Sequence, residues 1–196
     1  MEADRKVISL LLVSLLLLGS ACTSTRVTSN DPESLEALLK DAAGVVFCKY
    51  CLDSSSFNQK YEFTSEIITD PLLISEWKHA LIDAEENEMF PLIGILTHLL
   101  FFDQQQKPIA LVYIVNWKCI VHVLPITHYR RGKNCIVMDS RKTDDSSSWT
   151  SEPFVRGVYN YMQIARPNEL QEARDFYLRM GLHFEKLLFE GDDSRL

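Results

Sequence analysis

The feature that most constrains the fold is an apolar segment, residues 109–115 (IALVYIV), in which both alternating sets of side chains are apolar. A β-strand points successive side chains to opposite faces, so a strand of this composition is covered on both faces. Asp103 to Pro108 precedes the segment and Asn116 to Lys118 follows it, and both stretches are typical of turns. The segment therefore predicts a central strand of a sheet.

Several other segments predict strands that pair with this one. Tyr61, Phe63, Ser65 and Ile67 alternate with polar residues, which is typical of a strand with one face in water. The remaining predicted strands are apolar runs at residues 45–52, 93–102, 119–124 and 135–138. Because short turns separate most of them, we expect an antiparallel meander.

Four segments have helical spacing of apolar residues between start and stop signals. Asp31-Pro32 and Asp70-Pro71 open the first two helices, and the second is predicted to end around residues 86–88. The other two span residues 152–165 and 168–180, and residues 141–151 between sheet and helices predict a solvated loop. The sequence thus predicts an α+β fold, in which a mostly antiparallel sheet of about five to six strands is flanked by about four helices.

Composition and charge exclude several classes of protein. The chain has 196 residues, of which 46% are hydrophobic, and a net charge of -7, which indicates one ordinary globular core. Arg130, Arg131 and Lys133 form the nearest approach to a basic cluster, and we interpret them as part of a loop. We therefore expect no nucleic-acid partner, because binding to a phosphate backbone depends on such clusters.

The amino terminus has the order of a secretory signal peptide. Arg5 and Lys6 precede an apolar run over residues 7–18, and small residues lead from Gly19 to Cys22. The run is too short to span a bilayer comfortably, since a span takes about 20 apolar residues. The pattern therefore predicts a cleaved leader.

The sequence Leu18-Gly19-Ser20-Ala21-Cys22 resembles the lipobox of bacterial lipoproteins. The resemblance implies acylation of Cys22 by palmitate-type chains and a new amino terminus at that residue. It departs from the commonest pattern, in which leucine stands where this chain has Gly19. Cleavage after Ala21 without acylation is the alternative, because Gly19 and Ala21 also satisfy the small-x-small rule, and the protein would then be secreted and soluble.

These features predict three parts of the chain: a cleaved signal peptide (1–21), a lipidated tether (22–30) and a single globular α+β domain (31–196). The tether is rich in serine and threonine, which is typical of a flexible linker. Thr23 stands where inner-membrane lipoproteins tend to have aspartate, so the resemblance implies the outer membrane if the host is Gram-negative. The lipid bilayer is thus an expected partner, through acylated Cys22.

Four further cysteines allow more than one interpretation. Cys48-Lys49-Tyr50-Cys51 follows an apolar strand, as in thiol-disulfide oxidoreductases of the thioredoxin-like kind, but no amphipathic helix follows it. In an oxidising compartment Cys48, Cys51, Cys119 and Cys135 could form two disulfides, and three connectivities are possible. A zinc site is disfavoured because Cys119 and Cys135 lack the short spacing of a zinc ribbon.

No assembled catalytic or cofactor motif occurs in the sequence, and we predict no catalytic residues, metal or cofactor. The histidines show no HxH or HExxH spacing, and the acidic run at Glu85, Glu86 and Glu88 is typical of a solvated surface. Trp149, in a polar loop, is a candidate contact for a partner, or else folds back on the domain. We therefore expect a membrane-anchored, non-catalytic module that binds an envelope protein or ligand, with an extracytoplasmic thiol-disulfide oxidoreductase using Cys48 and Cys51 as the alternative.

Overall fold

The computed structural model describes residues 32–53, 58–87, 94–139 and 147–191, so the predicted leader and the whole predicted tether, with Cys22, lie outside the described residues. The described residues form nine strands and five helices, which confirms the α+β class. The helices are α1 (Pro32–Leu39), α2 (Pro71–Ile82), α3 (Glu152–Ala165), α4 (Pro167–Arg179) and α5 (Phe184–Phe189). The strands are β1 (Gly44–Asp53), β2 (Asn58–Phe63), β3 (Glu85–Glu86), β4 (Ile95–Phe102), β5 (Pro108–Val115), β6 (Ile120–Pro125), β7 (Tyr129–Arg131), β8 (Cys135–Asp139) and β9 (Ser147–Thr150).

All strands belong to one antiparallel sheet with the order β3-β9-β6-β5-β4-β1-β2-β8-β7. Strand β5 lies in its interior, between β4 and β6, and pairs Val112 with Leu99 on one side and with Val123 on the other. Leu111 and Val112 point to opposite faces and are both fully buried. The prediction that residues 109–115 form a central strand is confirmed.

The sheet has more strands than the five to six that we predicted. Strands β3 and β7 have only two and three residues, too few for a periodic pattern to be recognised. Strand β9 is polar in sequence and falls in the predicted loop, and β3 contains Glu85 and Glu86, which we assigned to the end of a helix. The predictions of a loop at β9 and of a helix end at β3 were both wrong, because pairing of β9 with β6 and β3 outweighs local composition.

The helices all pack against one face of the sheet. Val45 and Phe47 of β1 point into this core, together with Trp77 of α2 and Phe154 of α3. Asp70 begins α2 by accepting hydrogen bonds from the backbone amides of the first turn, with Pro71 at the first helical position, as the sequence predicts. The largest hydrophobic cluster therefore lies between the helices and the sheet.

The opposite face of the sheet is concave. Val46 and Leu100 are fully buried on this face, in a second apolar cluster that contains no residue of a helix. Four strand steps, or roughly 19 Å in a flat sheet, separate β7 from β4. The Arg131 guanidinium of β7 nevertheless lies 5.9 Å from the centre of the Phe102 ring of β4. The sheet therefore curls until β7 approaches the turn between β4 and β5.

Candidate functional site

The two cysteines of the CxxC motif lie on opposite faces of β1. Cys48 belongs to the apolar cluster of the concave face and is only 5% exposed, whereas Cys51 is half-exposed. Burial raises the pKa of the Cys48 thiol to about 12. A dithiol active site needs two adjacent thiols, one of them with a lowered pKa. The strand does not place the two thiols side by side, and the pKa of Cys48 is raised instead of lowered.

All four described cysteines have free thiols, and the structure contains neither of the two possible disulfides among them. Strand β2 separates β1 from β8, which keeps Cys48 and Cys51 away from Cys135. Cys119 lies before β6 and donates its backbone amide to the carbonyl of Leu188 beside α5. Burial raises the pKa of the Cys119 thiol to about 12. The sheet topology therefore distributes the cysteines instead of pairing them.

Trp149, the candidate partner contact, lies in the core. It belongs to β9, pairs with Val121 of β6 and has no exposed surface. The prediction of an exposed loop residue was wrong, and the alternative, a tryptophan that folds back on the domain, is what the structure shows. Single-sequence reasoning missed this because serines surround Trp149, and serines are typical of loops.

A row of aromatic rings crosses the concave face. Tyr113 stacks on His122 with ring centroids 4.7 Å apart, and His98 lies 5.9 Å from Tyr113. The centroid of the Tyr50 ring lies 6.2 Å from that of His98, and the centroid of the Tyr61 ring lies 5.5 Å from that of Tyr50. These rings come from five adjacent strands. They form a row because each residue pairs with, or lies diagonal to, the next one across the sheet.

The two histidines of this row are held neutral. Burial lowers the pKa of His98 to about 4 and also lowers that of His122. The Ser148 hydroxyl lies 2.9 Å from His122 Nδ1, but both side chains are buried. A serine nucleophile must be reachable by its substrate, so we assign this pair to packing of the concave face rather than to hydrolysis.

A polar groove lies where β2 ends and the chain bends through Thr64 and Ser65. Two cavities, of about 310 Å³ and about 560 Å³, share these two residues in their linings. The smaller cavity reaches the junction of α3 and α4. The larger one reaches the turn between β7 and β8. We call the whole feature the Thr64 groove.

The groove lies where β2 ends, and β2 is shorter than its sequence pattern predicts. The alternation of apolar and polar residues continues to Ile67, but the strand ends at Phe63. Ser65 then accepts a hydrogen bond from the backbone amide of Phe47, and Ile68 pairs with Val45 of β1. The predicted strand was therefore too long at this end, and the bend leaves Thr64 exposed.

Arg166 closes the helical end of the groove. Its side chain is only 8% exposed, and its guanidinium stacks over the Phe47 ring at 4.5 Å. Nη2 donates to Thr64 Oγ1 at 2.7 Å and also to the Glu169 carboxylate, to which Nε donates at 2.9 Å. The guanidinium is thus fixed by contacts on one face and along one edge.

The charges along the groove differ from those of the whole chain. Arg166 lines the smaller cavity, and Arg131 and Lys133 line the larger one. Glu169 and Glu66 are the acidic residues of the two linings. The groove therefore carries an excess of one positive charge on a chain whose net charge is -7.

The residues of this groove lie far apart in the sequence, in segments that show no sign of belonging together. The interpretation of Arg130, Arg131 and Lys133 as loop residues was wrong for the two arginines, which belong to β7 because they pair with β8, and only Lys133 lies in the turn that follows. The interpretation of Arg166-Pro167 as a break between helices fits the structure. Arg166 lies 102 residues from Thr64 in the chain, and no periodic pattern in the sequence predicts a contact over that separation. Only the tertiary structure brings the two together.

Comparison with protein-family models, with curated proteins and with solved structures finds no match for this chain. None of the helices in the described part of the chain has the length and hydropathy needed to cross a membrane. Within residues 32–53, 58–87, 94–139 and 147–191, no three metal-ligating side chains come together.

Proposed function

We propose that this protein is a non-catalytic binding module of the cell envelope, anchored to the membrane through an acylated Cys22, and that the Thr64 groove holds its ligand. The groove carries the proposal. It combines a cavity of about 310 Å³, a fixed guanidinium and hydroxyl-bearing side chains in the lining, which are usual components of a recognition site.

The anchor is supported by the sequence of the leader. The resemblance to a lipobox ends at Cys22, and the first described helix begins at Pro32. The intervening residues allow roughly 15–20 Å of slack if they behave as a random coil. Two or three acyl chains hold a protein stably on a bilayer, because each buried methylene contributes about 0.8 kcal/mol.

Intact mass spectrometry of the protein purified from membranes of its host tests the anchor. We expect a chain that starts at Cys22 and carries the mass of its acyl chains. A Cys22→Ser variant should lose that added mass and leave the membrane fraction. A wild-type chain without acyl mass would contradict the anchor and favour the secreted, soluble alternative.

Nuclear magnetic resonance of the isotope-labelled mature protein tests the groove, with Cys22→Ser to keep the chain in solution. The probe is a soluble extract of the host's envelope, separated into fractions of small molecules and peptides. We expect one fraction to shift the backbone amides of Thr64 and Ser65. Shifts confined to the concave face around Tyr50, or none with any fraction, would contradict the proposed site.

A steric variant and a matched control sharpen this test. Thr64→Trp should fill the groove and abolish the shifts, because the side chain at this position lies between the two cavities. Gln163→Trp adds the same side chain at an exposed position of α3 on the other side of that helix from Tyr161. The control should bind like the wild type.

A further inference from the structure

We propose that the ligand of the Thr64 groove presents a carboxylate, and that this carboxylate binds in the smaller cavity beside Arg166. The proposal rests on the proposed function, since it names the chemistry that the same groove recognises. It is carried by hydrogen-bond donors of residues that line the cavity, donors that make no hydrogen bond to any residue that the structure describes.

Three such donors belong to the lining of the cavity. Arg166 Nη1 makes no hydrogen bond within the described residues, although the other two guanidinium nitrogens do. The Tyr161 hydroxyl has no partner there either, and its ring is held by stacking on Phe47 at 5.7 Å. The third donor is the backbone amide of Asn168, in the first turn of α4.

Donors without acceptors favour a ligand that supplies acceptor oxygens. The positive charge of Arg166 and the N-terminus of α4 both favour an anion as that ligand. Arg166 carries a fixed positive charge in a site where its side chain is only 8% exposed. Helix α4 has 13 residues, and no side chain caps its N-terminus, where the helix dipole places a partial positive charge of about half a unit.

The charge balance favours a monovalent carboxylate over a phosphate. Glu169 already neutralises part of the guanidinium charge, and its carboxylate shares the rim of the cavity. Arg131 and Lys133 add two positive charges at the far end, opposed by Glu66. Glu169 would therefore repel a phosphate dianion more strongly than a carboxylate with a single charge.

The test uses N-acetylalanine, its neutral amide and inorganic phosphate as probes, each titrated into the labelled mature protein with Cys22→Ser. We expect N-acetylalanine to shift the amide of Asn168 and the Nε resonance of Arg166, with an affinity in the millimolar range. The amide analogue should shift neither resonance. Phosphate binding as tight as that of N-acetylalanine, or equal binding of the amide, would overturn the proposal.

Two variants test the assigned contacts. Tyr161→Phe removes only the hydroxyl and keeps the ring on Phe47, so the affinity for N-acetylalanine should fall about tenfold while the melting temperature changes little. Tyr50→Phe removes a hydroxyl on the concave face and should leave the affinity unchanged. An equal loss in both variants, or no loss in Tyr161→Phe, would contradict the assignment.

The Glu169→Gln variant should change the affinity for N-acetylalanine in the opposite direction from Tyr161→Phe. It removes the carboxylate that competes for the guanidinium, so N-acetylalanine should bind several-fold more tightly than to the wild type. A purely structural role of the Arg166 ion pair predicts lower stability without tighter binding. An unchanged or weaker affinity would therefore overturn the proposal.

The outcomes of the two experiments are separable. If an envelope fraction shifts Thr64 and Ser65 but N-acetylalanine shifts no resonance of the cavity, the proposed function stands and the carboxylate is wrong. If neither titration affects the groove, both proposals fail.

Discussion

Cys48 and Cys51 lie three residues apart on β1 and point to opposite faces of the sheet, one into an apolar cluster and the other toward the solvent. The strand imposes this relationship, because successive side chains alternate and an odd spacing always separates the faces. A motif that resembles a redox pair in the sequence is therefore two unrelated thiols in the structure.

This arrangement predicts a two-class pattern of thiol reactivity. Cys51 and Cys135 are partly exposed and should be alkylated rapidly by iodoacetamide in the native protein, without a reductant. Cys48 and Cys119 should react only after unfolding, because both are buried and their pKa values are raised to about 12. Mass spectrometry of alkylated peptides measures the pattern. Native protein that takes up no label until it is reduced would show that disulfides form after all.

His98 should make the protein sensitive to acid. Burial among tyrosine rings lowers its folded-state pKa to about 4, below the value of about 6.5 expected in the unfolded chain. The unfolded state therefore binds the proton first as the pH falls. The free energy of unfolding should be unaffected above pH 6.5 and should decrease by about 2–3 kcal/mol as the pH falls from about 6.5 to about 4.

Urea denaturation of the wild type and of His98→Gln across this pH range measures the contribution. The variant has no proton to bind at this position, so its stability should fall less steeply between pH 6.5 and pH 4. Parallel curves for the two proteins would contradict the assignment to His98. The difference between the curves is informative because other groups titrate equally in both proteins.

Trp149 should contribute to stability rather than to partner binding. Its side chain is fully buried in the main core, so Trp149→Ala should lower the free energy of unfolding by about 3–5 kcal/mol. Trp149→Phe keeps most of the apolar volume and should cost less. Chemical denaturation followed by circular dichroism gives both values. A Trp149→Ala variant as stable as the wild type would mean that the side chain is exposed.

Ser151 should link α3 to α2. Its hydroxyl accepts from the backbone amide of Phe154 at 3.3 Å, as an N-cap, and donates to the carbonyl of Ala80 at 2.6 Å. Ser151→Ala leaves both groups without a partner and should cost about 1–2 kcal/mol in thermal unfolding. Ser75→Ala, in an exposed contact of α2, should cost less than about 0.5 kcal/mol. Equal losses would argue against the link.

Elements with a strong periodic pattern were predicted well. The central strand β5 and the helices that begin after Asp70 and Ser151 occur where the sequence predicts them, because local burial patterns and capping residues specify them directly. Strands β3, β7 and β9 were missed, since they are short or polar and form only against neighbours already in place. Trp149 was misplaced for the same reason.

The sequence by itself determined the class of fold, the interior position of β5 and the starts of α2 and α3. These depend on residues close together in the chain. The tertiary structure alone decided the curl of the sheet, the placement of Cys119 and Cys135 away from the other two cysteines, and the Thr64 groove. Arg166 meets Thr64 across 102 residues, and such a contact depends on how the helices pack against the sheet, which no local pattern encodes.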